Sequence, residues 1–218
     1  MPIQSILDPL AELPLRCVPR ELFLHNVWQV SQDLLGKILA VQTPEGSAAV
    51  RITEVEAYGG ITDRACHAYG GKRTARTAPM YQSGGTLYIY LCYGLHVMLN
   101  IVTGEIGDPC AVLIRAGEPL WGLDLMQKRR KNAPLHRLTV GPGSLSQALG
   151  ISLEWTGQSI FGHLHLTVYD DGYHPPQIEQ GKRIGVDYAG PDAEHPWRYW
   201  IAASPFVSHI SRKKLTFV

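Results

Sequence analysis

Residues 86–102 read Thr-Leu-Tyr-Ile-Tyr-Leu-Cys-Tyr-Gly-Leu-His-Val-Met-Leu-Asn-Ile-Val. Two runs rich in aromatic and β-branched residues flank Gly94, which predicts a strand over 86–93, a tight turn, and a strand over 96–102 pairing back on the first. Alternate residues of a strand share a face, so Tyr88 and Tyr90 point one way. Tyr93 falls at the tip beside Gly94, where an aromatic ring buries little against its own core and is placed to enter something else.

Outward from this hairpin the same pattern recurs. Residues 37–43 and 48–58 read as two strands around a Pro-Glu-Gly-Ser turn, and Ala111–Ala116 reads as a further buried strand. Shorter strand-like pieces lie at 164–169 and 197–202. Asn26 is placed to cap a helix over 27–35 that Gly36 stops. Leu120, Leu123 and Met126 at helical spacing predict a helix over 118–127, and Gly141-Pro142-Gly143-Ser144 precedes a short helix ended by Gly150. Strands joined by turns with helices at their sides predict an α+β fold: a single domain with a mostly antiparallel curved sheet, surrounding helices and a protruding β-hairpin. Residues 1–21, punctuated by proline, are expected to form a tail, and 22–218 the domain.

Composition narrows the function. Of 218 residues, 45% are hydrophobic and 18% charged, enough for a core and too little charge for a disordered chain. A net charge of +1 excludes a basic coat, so any binding of nucleic acid must use local patches. No run of about 18 apolar residues predicts a membrane span, and the N-terminus lacks a signal-peptide pattern. Cys17, Cys66, Cys92 and Cys110 show no zinc spacing and fit free thiols of a reducing compartment, so no metal site is expected.

The chemistry concentrates at Thr53-Glu54-Val55-Glu56-Ala57-Tyr58. Glu54, Glu56 and Tyr58 share a strand face, and acidic residues are poor strand formers. Either they line a solvated edge or one carboxylate serves a pocket as general base. Arg115 ends a buried apolar strand and needs a carboxylate partner, for which Glu54 or Glu56 is the natural choice. Residues 59–85 form a long glycine-rich segment, of a kind usually functional, carrying His67 and the basic Lys72, Arg73 and Arg76. Gly141–Ser144 is a candidate phosphate cradle or simply a turn and cap, and Lys128–Lys131 a candidate backbone contact or a solvated helix face.

Taken in order, Arg-Ile-Thr-Glu-Val-Glu-Ala-Tyr (51–58), His67, Gly-Thr-Leu-Tyr-Ile-Tyr-Leu-Cys-Tyr-Gly (85–94), Asn100, Ala-Val-Leu-Ile-Arg-Ala-Gly-Glu-Pro (111–119), Gly-Pro-Gly-Ser-Leu-Ser-Gln-Ala-Leu (141–149), Arg-Ile-Gly-Val (183–186) and Ala-Ser-Pro-Phe-Val-Ser (203–208) resemble the alkyladenine (3-methyladenine) DNA glycosylases of the mammalian type. The resemblance runs over residues 22–210. It implies base-excision repair: a damaged (alkylated or deaminated) purine is flipped from duplex DNA, and its N-glycosidic bond is hydrolysed by an activated water to leave an abasic site. Glu56 matches the catalytic base and Arg115 the residue that helps position the water, with the backbone near Val186 completing its coordination. Tyr58, His67 and Tyr90 match the pocket that sandwiches the base, and Asn100 the residue that disfavours the amino group of guanine. Tyr93 matches the intercalating residue. Lys72, Arg73, Arg76, Gly143 and Ser144 are expected at the DNA backbone, although Ser144 stands where the family often has lysine. No lysine occupies the base position, so no lyase activity is expected. The resemblance also implies no cofactor, damaged double-stranded DNA as partner, a monomer, no membrane association, and a cytoplasmic location (on the nucleoid in a prokaryote, in the nucleus of a eukaryote). A non-catalytic nucleic-acid-binding module with the same aromatic hairpin is the rival; it has no use for a carboxylate at Glu56. A carbohydrate hydrolase using Glu54 and Glu56 as its pair is a weaker one.

Overall fold

The computed structural model describes residues 15–208. Its centre is the thirteen-residue strand β3, Gly46–Tyr58. Before it come β1 (Arg16–Cys17) and β2 (Ile38–Thr43); after it come β4 (Leu87–Cys92), β5 (His96–Thr103), β6 (Cys110–Trp121), β7 (Leu166–Asp170), β8 (Ile178–Gly181) and β9 (Arg198–Ile201). Among the described residues these make one nine-stranded sheet in the order β1-β7-β2-β3-β6-β5-β4, with β9 pairing both β3 and β8. Every pairing is antiparallel. The expected α+β architecture is thus observed.

β3 changes neighbours along its length. Its first half pairs with β2, and Glu54–Glu56 pair with β9 instead, while β6 runs along the other edge from Ala49 to Tyr58. Register shifts between Ile52 and Val55 mark a bulge at the changeover, the local kink by which a strand serves two partners. Both edges at Glu54 and Glu56 are therefore covered.

Strand alternation divides the sheet into two faces. Val55, Ala57, Leu87, Ile89, Leu99, Ile101, Val112 and Ile114 face the main core, which α1 (Val27–Leu34), α2 (Leu123–Arg129) and α4 (Pro142–Leu149) help to close. The residues between them face the other way, and there Tyr88, Val102 and Ala111 join Cys66, Ala68, Met80 and Tyr81 of the glycine-rich segment in a second apolar cluster. The helix caps follow the sequence: the Asn26 side chain accepts from the Gln29 amide at 3.0 Å, and Gly150 ends α4 in a left-handed conformation.

Four elements differ from expectation. Residues 118–121 extend β6 instead of opening a helix, because Glu118, Pro119 and Trp121 stand in register with Arg51, Val50 and Ala49; the ladder overrides local periodicity. The helix begins only at Leu123, after Gly122 turns the chain at φ 75°, a conformation that favours glycine. Arg16–Cys17 pair with Asp170 and Tyr169, so the segment expected as a tail contributes to the sheet from there on; residues 1–14 lie outside the described residues. β8 carries no alternating pattern and forms only as an edge against β9. A short helix, α3 (Leu135–Leu138), also precedes α4.

Candidate active site

Lateral registry across the sheet assembles the site. Arg198, Glu56, Leu113, Asn100 and Tyr88 are successive register partners on β9, β3, β6, β5 and β4. Strands lie about 4.8 Å apart, so this row spans a surface wide enough for a nucleobase. Tyr58 stands two residues beyond Glu56, Tyr90 two beyond Tyr88, and Arg115 two beyond Leu113, all on one face. The glycine-rich segment folds over that face and brings His67 to it. Between them lies a cavity of about 640 Å³ lined by Tyr58, His67, Arg76, Tyr90, Tyr93, Asn100, Arg115 and Val186 among others.

Glu56 lies behind this lining, fully buried. Its Oε1 accepts from the Ile184 amide at 2.7 Å and faces Arg115 Nη1 at 3.1 Å; its Oε2 accepts from the Tyr58 hydroxyl at 2.9 Å. Glu54 is buried beside it, its Oε1 accepting from Arg115 Nε at 3.1 Å and from Arg198 Nη1 at 3.0 Å. The solvated-edge reading of these carboxylates is overturned, because β6 and β9 cover both edges of β3. Arg115 bridges the two, as the sequence required of a buried cation. Burial alone would lower its pKa, but Glu56 and then Glu54 more than offset this and raise it. Burial first, then the Glu56 charge, raises the Tyr58 phenol well above its ordinary range, so Tyr58 stays protonated and donates. A carbohydrate pair flanking a substrate does not fit, because Arg115 fills the space between Glu54 and Glu56.

The rings form a cage. His67 meets Tyr90 edge-on at 4.7 Å, and Tyr88 lies 5.4 Å from Tyr90. His67 Nδ1 is 2.7 Å from the Tyr88 hydroxyl. Burial, then Arg76 and Lys72, push His67 down to about 4, so its ring is neutral at neutral pH. Asn100 Nδ2 donates to the Tyr88 carbonyl at 3.0 Å, which fixes the amide against β4. Behind Tyr58, the Arg183 guanidinium sits 4.9 Å from the ring and pairs with fully buried Asp63 at 2.5 Å.

At the cavity's mouth the β4–β5 tip projects Tyr93, 90% exposed and at φ 50°. Arg76 lines the cavity with its guanidinium 4.9 Å from the Tyr90 ring. Lys72 and Arg73 are exposed nearby, Arg73 over the Tyr81 ring at 3.8 Å. Gly143 packs against His96, where a Cβ would lie 3.0 Å from that ring; Ser144 is half-buried, and Pro142 is the residue of this turn that lines the cavity. Arg129 of the basic run is an anchor, bonded to Glu45, Thr43 and the Ala148 carbonyl.

Sequence reasoning missed several partners. The amide on Glu56 belongs to Ile184, two residues before Val186, and only the fold shows which backbone group faces the carboxylate. Arg198 carried the same signal as Arg115, a cation inside an apolar strand. Among the described residues no cluster of three or more His, Cys, Asp or Glu side chains is placed to hold a metal, and no helix is long and apolar enough to cross a membrane.

A model of the family described as methylpurine-DNA glycosylase matches residues 21–205. A protein of Bacillus licheniformis is 42% identical over 192 residues, 88% of this chain and 96% of its own length. One of Methanocella arvoryzae is 44% identical over 192 residues, 88% of this chain and 95% of its own. One of Chlamydia felis is 42% identical over 186 residues, 84% of this chain and 94% of its own. All three bear the provisional name 3-methyladenine DNA glycosylase.

Proposed function

The chain belongs to the methylpurine-DNA glycosylase family, and from that premise we propose how its cavity excises a base. The protein is a DNA glycosylase that acts on alkylated bases in DNA repair. Its substrate here is a damaged purine nucleotide rotated out of duplex DNA into the cavity, at a cost of a few kcal/mol that is lowest at a damaged pair. Tyr93 fills the gap left in the stack. The rotated base lies among Tyr58, His67 and Tyr90. An N3- or N7-alkylated purine is cationic, and electron-rich rings attract it by about 0.5–2 kcal/mol. A neutral His67 suits this cargo, since an imidazolium would repel it. Asn100 disfavours the exocyclic amino group of guanine, while Arg76, Lys72, Arg73 and the Gly143–Ser144 turn meet the phosphates.

One observation carries the mechanism. Of the four acceptor positions of the Glu56 carboxylate, three are taken by Arg115, Ile184 and Tyr58. We assign the fourth to the attacking water. Glu56 takes a proton from it, the oxygen bonds to C1′, and the C1′–N9 bond breaks with its electron pair leaving on the purine. Arg115 keeps the carboxylate aimed, and the carboxylate in turn stabilises the oxocarbenium-like sugar. The products are a free base and an abasic site. No amine attacks the sugar, so the enzyme is monofunctional, and a monomer suffices because every residue named belongs to one chain. The Glu56→Gln variant checks this: its single-turnover release of base from methylated duplex is expected to fall by about 10²–10⁴ with lesion binding retained. Wild-type release by the variant removes Glu56 as the base.

A further inference from the structure

Glu54 has no part in the steps above, yet all four of its acceptor positions are filled. Besides Arg115 and Arg198 on Oε1, its Oε2 accepts from the Ser208 amide at 2.6 Å and the Ser208 hydroxyl at 2.5 Å. The preceding residue, Thr53, donates through Oγ1 to the Phe206 carbonyl at 2.5 Å. Two neighbours at the β3 bulge thus grip residues 206–208. We propose that Glu54 is a positioning residue for base excision: it balances the charges of Arg115 and Arg198 beside Glu56, and it ties residues 206–208 to the reaction centre. This rests on the glycosylase reading of the cavity.

The argument is one of charge and of reach. The charged groups facing Glu56 are Glu54 on its own strand, Arg115 on β6, Arg198 opposite it on β9, and Arg183 beyond β8; Arg183 is neutralised by Asp63, and Tyr58 is a neutral phenol. Two buried carboxylates therefore meet two buried guanidiniums. Without the Glu54 charge, Glu56 is the carboxylate left beside the two cations, Arg115 in contact with it and Arg198 as its register partner on β9. Surplus positive charge favours the ionised carboxylate and makes it a poorer proton acceptor. The same network also holds the amide that meets Glu56. Arg198 Nε donates to the Lys182 carbonyl at 2.9 Å, two residues before Ile184, and Arg198 Nη1 reaches the Ser208 carbonyl at 3.4 Å.

The test compares wild type, Glu54→Gln, the Glu54→Gln/Arg198→Met pair and Ser208→Ala. Single-turnover release from one methylated duplex is followed against pH, with thermal stability and lesion-duplex affinity measured alongside. Glu54→Gln is expected to lower the rate at unchanged affinity and to move the acid limb of the profile to lower pH. Removing the Arg198 charge as well restores the balance and returns the limb to its wild-type position. Ser208→Ala, which keeps every charge, lowers the rate with the limb unmoved. A limb in Glu54→Gln that coincides with wild type overturns the proposal, as does wild-type turnover by Ser208→Ala. If Glu54→Gln does not fold, the charge-balanced pair decides: a displaced limb there overturns the proposal. A wild-type enzyme that releases no base takes down the glycosylase reading as well, whereas wild-type release with an unmoved limb removes only the role of Glu54.

Discussion

His67 shows how burial and nearby charge set the state of a single side chain. Burial and two nearby cations bring it down to about 4 from the ordinary 6.5. The unfolded chain therefore takes up a proton at higher pH than the native one does. The stability that neutral His67 contributes is complete above about pH 6.5 and is lost as pH falls toward about 4. Thermal melts of wild type and His67→Gln across that window are expected to show a shallower acid-side decline in the variant; parallel curves would mean that His67 is not held neutral. The sequence marked His67 by its place in a glycine-rich segment, but its Tyr88 partner sits in another strand. Likewise, Glu54 and Glu56 were legible as carboxylates that needed a reason for being in a strand. That both are buried, and that Arg115 spans them, depends on strands far away in the chain.

Among elements, the β4–β5 hairpin was the most legible, because alternation and Gly94 agree on its two strands and tip. Its tip presents Tyr93 and Leu95, 90% and 77% exposed, beside the cavity mouth. A ring there contributes about 1–3 kcal/mol by stacking on bases, so Tyr93→Ala is expected to weaken binding to a paired lesion about tenfold or more. The loss should be much smaller when the damaged base sits in single-stranded or loosened DNA. Titrations with both substrates compare the two, and equal losses would argue against a wedge. The least legible element was residues 118–121, whose helical spacing of leucines is real but whose backbone is claimed by β3. A local period loses to a ladder of hydrogen bonds that only the folded chain can offer.

For the whole molecule, the net charge is only +1, and Lys72, Arg73 and Arg76 are exposed beside the cavity, Arg76 lining it. Affinity for duplex is expected to fall with salt, and neutralising Lys72, Arg73 and Arg76 one at a time should reduce the slope of log affinity against log salt by about one each. A slope unchanged in all three variants would place the phosphates elsewhere. The alternation of its residues, its turns and its cap already specify an antiparallel α+β sheet with an aromatic hairpin, and the order of the motifs already specifies the family. These are properties of neighbouring residues, which a linear chain displays directly. The row from Arg198 through Glu56 to Tyr88, the amide of Ile184 on the Glu56 carboxylate and the Ser208 contact with Glu54 were decided only by the tertiary structure. Registry between strands and the burial of charge are set by which distant segments pair, and no local pattern encodes that pairing.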